Sequence, residues 1–250
     1  MKQPNKDIEV LPNPGALYSR AAQEFLSRAN AAVKERGVFS VVLSGGSTPK
    51  GLFELLAGEE TFRSEIPWTQ SHFFWVDERH VPPDHPDSNF RLAWETLLSK
   101  VPVPADNIHR ISSELPDAHE AAERYESTLR NFFQLASGEF PRFDLILLGM
   151  GADGHTASLF PGTEALQECR RSVAANWVER LHTWRITLTL PVLNNAACIL
   201  FLVSGLEKAQ TLREIFSNKT TSYPAQLVNP TRGRLLWLVD QLVEFGTPKR

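Results

Sequence analysis

His155 is the first candidate for proton chemistry in this chain. It follows Gly149-Met150-Gly151-Ala152-Asp153-Gly154 at the mouth of an apolar stretch, Phe143–Leu148. An imidazole titrates near neutrality, so it can take and return a proton in one catalytic cycle. The chain has seven histidines, and an isolated histidine is more often a core or capping residue. What separates His155 from the others is its place after a strand and a glycine turn, with Asp153 beside it. The same glycines match the G-x-G-x-x-G spacing of a dinucleotide-binding turn. That chemistry needs a full helix after the glycines and an acid about 20 positions on. Here Pro161 and Gly162 limit any following helix to about two turns, and residues 173–175 carry no acid. There is no G-x-S-x-G elbow to support a serine hydrolase.

Two other loops are rich in groups that can hold a polar ligand. Ser44-Gly45-Gly46-Ser47-Thr48-Pro49 offers backbone N–H groups, hydroxyls and a helix start to an anion. It lacks Walker A spacing, and an ordinary strand-to-helix turn has the same composition. Asp77-Glu78-Arg79-His80 places charges at a second strand end, as a salt-bridged surface turn also does. His80 and His85 lack a metal-ligand pattern, and no metal site is expected.

These loops need elements to position them. Leu17, Ala21, Phe25, Ala29 and Ala32 recur at helical spacing within Gly15–Arg36, and Gly37 ends the run. Further helices are expected over Lys50–Ala57, from the Asp87/Ser88 cap to about Leu98, over Ala118–Ala136 and over Leu206–Phe216, with Thr48 or Ser47 capping the first of these. Apolar runs predict strands at Phe39–Leu43, His72–Val76, Phe143–Leu148, Arg185–Leu190, Cys198–Val203 and Leu235–Val239. Alternating strands and helices, with several strands apolar throughout, indicate a mostly parallel sheet covered on both faces. The expected fold is one doubly wound α/β domain over residues 1–250. In such sheets the ligand crevice lies beyond the strands' carboxyl ends, so the loops after Leu43, Val76 and Leu148 are expected to converge.

The bulk composition excludes several classes. A net charge of −3 argues against nucleic acid as a partner, and 42% apolar residues suffice for a full core. Cys169 and Cys198 form no metal-spaced or redox pair and read as free thiols. The N-terminal residues lack the apolar run of a secretory signal. The longest apolar run, Ala196–Val203, is far shorter than the roughly 20 residues of a membrane span. A cytoplasmic protein is expected.

Six segments together resemble the glucosamine-6-phosphate isomerase/6-phosphogluconolactonase family: Ser44–Pro49, Asp77–Pro82, His85–Asn89, Gly149–Phe160, Arg185–Pro191 and Val203–Ala209. They occur in family order, and the lactonase branch is the closer likeness. The resemblance implies a Rossmann-like three-layer αβα domain that hydrolyses the δ-lactone of 6-phosphogluconate without metal or organic cofactor. It implies a small sugar-phosphate lactone as the partner, no nucleic acid, no membrane, and a monomer or weak homodimer. By the same resemblance His155 is the catalytic base, Asp153 its neighbouring acid and Arg79 the active-site arginine. Phosphate and substrate contacts fall on Ser44, Gly45, Gly46, Ser47, Thr48, Arg185 and Lys208, with Asp77, Asn89 and Gly151 completing the set. The amino-sugar isomerase branch usually has a tyrosine in place of Arg79 and a carboxylate near Phe160. This chain has Leu159-Phe160-Pro161 there. A sugar-phosphate sensor on the same fold needs a DNA-reading module, and about 14 residues before the first helix are too few for one.

Overall fold

A computed structural model describes residues 6–217 and 223–241. Residues 1–5 of the N-terminal segment discussed above lie outside that range. In chain order the elements are β1 (Lys6–Leu11), α1 (Pro14–Arg36), β2 (Phe39–Leu43), α2 (Ser47–Gly58), α3 (Glu60–Glu65), β3 (Ser71–Trp75), β4 (Asp77–Arg79), α4 (Asn89–Thr96), β5 (Ile108–His109), α5 (Ala118–Phe133), β6 (Leu145–Leu148), β7 (Val173–Val178), β8 (Thr183–Leu188), α6 (Leu190–Asn195), β9 (Cys198–Val203), α7 (Ala209–Phe216), α8 (Pro224–Leu227) and β10 (Arg234–Asp240).

Seven strands form one parallel sheet in the order β1-β10-β9-β6-β2-β3-β5. Its central strands β2, β6 and β9 are buried along their whole length, as continuous apolar runs require. Successive residues of β3 show the layering, since adjacent strand residues point to opposite faces. The Phe73 ring stacks on Trp68, which packs on Phe25 of α1. The Phe74 ring meets Phe132 and Phe133 of α5. Helices thus cover both faces, giving the expected three-layer α/β fold.

Local signals end the helices where the chain changes course. Asn13 caps α1 by accepting from the Ala16 N–H, and Gly37 closes it in the left-handed region at φ 76°. Ser88 caps α4 through the Arg91 N–H, while Asp87 supplies only a backbone carbonyl to Arg79. Helix α2 begins at Ser47 with Gly46 at its N-cap and no side-chain cap, so neither Thr48 nor Ser47 plays the expected part. Helix α5 ends at Phe133, short of Ala136, because Gln134 turns left-handed.

The larger departure is a second, antiparallel sheet in the order β4-β8-β7. The strand expected at Arg185–Leu190 lies here, shifted to Thr183–Leu188, and Leu190 opens α6 instead. Pro191 accounts for the change, since it suits a helix's first turn and cannot continue a ladder. Strands β1, β4, β5 and β7 had no separate signal among the apolar runs. Among the described residues no helix is long and apolar enough to cross a membrane.

Candidate active site

Strands β6, β2 and β3 are neighbours, so the loops leaving their carboxyl ends open into one cleft of ≈ 420 Å3. The chain departs from β2 toward β3 on one side and returns to β6 on the other. This is the reversal of strand order at which open α/β sheets bind ligands. Ser44–Thr48, Asp77, Arg79, Asn89, Gly151, His155, Arg185 and Lys208 all line the cleft. Asp153 stands behind His155 rather than in the lining.

His155 is fixed from three directions. Its Nδ1 lies 2.5 Å from Asp153 Oδ1, and its backbone N–H donates to the same oxygen. Its carbonyl accepts from the Gly151 N–H, closing the glycine turn. Its ring stacks on Phe160, with centroids 4.3 Å apart. Nδ1 is thereby engaged by Asp153, and the His155 side chain lines the cleft. Gly151 is required by closeness: a Cβ there would stand 2.2 Å from the His155 ring. Gly154 is required by conformation, at φ 74°. Partial burial pushes the Asp153 carboxyl up, but the hydrogen bond and charge of His155, helped by Arg180, outweigh it and hold the group at about 2.

The cleft also carries cations. Arg79 on β4 and Arg185 on β8 are cross-strand partners. Among the described residues neither forms an ion pair with a carboxylate; Arg79 donates to the Asp87 carbonyl at 2.6 Å. Burial lowers the Arg185 pKa, and the charge of Arg79 lowers it further. Lys208 follows β9 on a short 3-10 turn, and burial depresses it as well, against the opposing pull of Glu207 and Asp240. Like charges held together and partly desolvated are costly unless an anion joins them. The uncapped start of α2 adds its free N–H groups and partial positive charge. The Ser44 hydroxyl is buried in this loop and has no hydrogen-bond partner among the described residues.

Asp77 and Asn89 are committed inside the protein. Asp77 accepts from the Ser158 hydroxyl at 2.5 Å, and the Asn89 amide donates to the Asp77 carbonyl at 3.0 Å. A Cβ on Gly45 would fall 1.8 Å from Asn89 Oδ1, so Asn89 also shapes the Ser44 loop. Their geometry is that of wall supports. Glu78, on which no role was placed, is a buried carboxylate whose pKa burial raises. It accepts from the N–H groups of Arg79, Asn89 and Phe90 and from the Ser88 hydroxyl. It thus ties the Arg79 backbone to the start of α4.

The structure adds one further charged side chain to the site. Arg180, on the turn between β7 and β8, ion-pairs with Asp153 Oδ2 and lines the cleft. Nothing in the local sequence Trp177-Val178-Glu179-Arg180-Leu181 marks it, because its partner lies on another loop. Among the described residues no group of three or more His, Cys, Asp or Glu could hold a metal ion.

Residues 12–237 match the family model for glucosamine-6-phosphate isomerases/6-phosphogluconolactonase. The 6-phosphogluconolactonase of Nostoc sp. is 43% identical over 237 residues, covering 94% of this chain and 95% of the relative. That of Synechocystis sp. is 44% identical over 236 residues, with the same coverage. Among solved structures, 6-phosphogluconolactonase from Trypanosoma cruzi superposes with a TM-score of 0.87 at 28% identity, covering 99% of this chain and 98% of the other. A monomeric glucosamine-6-phosphate deaminase, 18% identical, shares the fold with a TM-score of 0.76 over 95% of this chain and 98% of its own.

Proposed function

The chain belongs to the glucosamine-6-phosphate isomerase/6-phosphogluconolactonase family, and from that premise we propose that it hydrolyses 6-phospho-D-glucono-1,5-lactone to 6-phosphogluconate, the lactone step of the oxidative pentose phosphate pathway. The observation that carries this reading is one cleft that holds both an oriented imidazole, His155 on Asp153, and the cations Arg79, Arg185 and Lys208, which lack carboxylate ion-pair partners among the described residues. A sugar-phosphate lactone needs both: a base near its carbonyl and cations around its phosphate. The named relatives catalyse this reaction by their descriptions.

His155 Nε2 accepts a proton from water as the hydroxyl adds to the lactone carbonyl carbon. Asp153 holds the Nδ1 proton and balances the imidazolium charge. Arg79 stabilises the tetrahedral oxyanion. Collapse breaks the bond from that carbon to the ring oxygen, and Nε2–H returns the proton to the departing oxygen. No covalent enzyme intermediate is needed, because the ring ester is already activated. Arg185 and Lys208, with the Ser44–Thr48 loop, hold the 6-phosphate by charge-assisted hydrogen bonds and so position the carbonyl. The same reading takes residues 1–250 as one cytoplasmic α/β unit, a monomer or weak homodimer, which gel filtration with light scattering checks.

The deciding experiment is lactone decay followed with enzyme, with His155→Ala and with buffer alone, since the substrate also hydrolyses spontaneously. Loss of the base lowers kcat by about 10²-fold or more. A variant with near wild-type kcat removes His155 from the mechanism, and wild-type enzyme no faster than buffer removes the activity.

A further inference from the structure

The catalytic pair is completed by a residue from the other sheet. Asp153 presents two oxygens, and each has one partner group. Oδ1 meets the Nδ1 and backbone N–H of His155. Oδ2 is buried, accepts no hydrogen bond among the described residues, and lies in ion-pair contact with Nη2 of Arg180. We propose that Arg180 is a positioning residue, holding the buried Oδ2 of Asp153 by ion-pair contact so that rotation of the carboxylate is opposed and the imidazole keeps its proton on Nδ1. This inference rests on the proton-transfer role of His155 given above.

Three observations support that grip. First, the turn carrying Arg180 is itself braced. Residues Glu179–Leu181 form one 3-10 turn, His182 closes it in the left-handed region at φ 45°, and the Trp177 indole N–H donates to Glu179 at 2.6 Å. Second, the guanidinium lies over the Phe160 ring, 4.9 Å from its centroid, and that ring also stacks on His155. One aromatic side chain therefore sets the relative placement of the arginine and the imidazole. Third, the backbone on the Asp153 side is anchored. The Ala152 carbonyl accepts from the Thr211 hydroxyl, and the Gly154 N–H donates to the Gly151 carbonyl. With the main chain held, the remaining freedom of Asp153 is rotation of its carboxylate, which is the motion Arg180 opposes.

The alternative role for an arginine here is direct contact with the phosphate. Its geometry disfavours this. Among the described residues the other cations of the cleft, Arg79, Arg185 and Lys208, form no ion pair with a carboxylate, whereas Arg180 is already paired. An arginine whose Nη2 faces a carboxylate and whose plane covers an aromatic ring has part of its charge and donor set already engaged. The Arg180 side chain is 53% exposed, so its removal leaves no buried cavity and the fold should persist.

The test compares wild type, Arg180→Ala and Arg180→Lys. Supporting partners of this kind change activity by about 10–100-fold when removed. For Arg180→Ala, kcat is expected to fall within that range while KM stays within about twofold, and Arg180→Lys recovers part of the loss. Imidazole 15N shifts of His155, read in the neutral form without substrate, should show one Nδ1–H tautomer in wild type and a mixture in Arg180→Ala. An unchanged kcat, a raised KM at constant kcat, or an unchanged tautomer in Arg180→Ala overturns the proposal. If wild type itself fails to hydrolyse the lactone, the substrate reading falls, and the 15N comparison still decides the role of Arg180.

Discussion

Adding one methyl group at Gly151 should disable the site without unfolding the protein. The Cβ of Gly151→Ala would stand 2.2 Å from both Cε1 and Nδ1 of His155 and 2.6 Å from Asp153 Oδ1. Ordinary carbon contacts begin near 3.5 Å, so the ring must retreat by more than about 1 Å. Phe160 stacks on that ring and limits where it can go. A displacement of about 1 Å at a reacting group costs on the order of 10²-fold in rate, equivalent to ~2.7 kcal/mol of barrier. The clash falls on side-chain ends, and Gly151 does not occupy the left-handed region. Stability should therefore change by about 1 kcal/mol or less, a melting shift within about 4 °C. The assay is initial lactone decay at saturating substrate, corrected for the uncatalysed rate, alongside a thermal melt. A variant with wild-type kcat would show that the placement of His155 relative to Asp153 does not limit the chemistry. A variant that fails to fold would show that the strain enters the backbone instead.

Two further outcomes follow from other parts of the molecule. Arg185→Ala should raise KM by about 10–100-fold, the worth of one charged hydrogen bond, with kcat little changed; an unaltered KM refutes its phosphate role. At the β5 edge, burial and then the neighbouring His72 hold His109 at about 4, below the ordinary 6.5 of a histidine. The unfolded chain therefore binds this proton more readily between those values, so the contribution of the neutral ring is full above about pH 6.5 and is lost as pH falls toward 4. Solvent access to the pair trims the effect to about 1–2 kcal/mol, roughly 5 °C. Melting wild type and His109→Phe at pH 7.5 and 4.5 checks this: equal acid-induced losses in the two proteins contradict it.

What could be read from the chain depended on whether a residue's fate was decided locally. Cys198–Val203 is buried on both faces, and its unbroken apolar run is the direct imprint of that environment. Helix α1 carries both its stripe and its stop signal in its own residues. The three loops were placed correctly because they follow such strands, and convergence is a property of the topology. Strand β1 escaped notice because it is an edge strand: Ile8 and Val10 alternate with acids and remain partly exposed. Strand β7 carries a buried Asn176 whose amide serves the Ser158 carbonyl, a polar need visible only after folding. Arg180 was missed for the same reason, since its partner Asp153 lies on the distant loop after β6. Asp77 and Asn89 were expected to meet the substrate; both line the cleft, and burial and internal hydrogen bonds, which spacing alone does not display, hold them in its wall.

The order of strands also governs how the molecule can be made. Among the described residues β1 has β10 as its ladder partner, pairing Lys6 with Leu235 and Leu11 with Asp240. During synthesis β1 must wait until residues 234–240 have emerged for the strand that completes it. Its backbone groups and the apolar face of Ile8 and Val10 stay unpaired for that time. Such long-range pairings are the slow steps of folding. The central strands β2, β3 and β6, which carry the cleft loops, can assemble from residues already made. The β1 edge is sealed only after β10 arrives, so most of the cleft can be in place before β1 is.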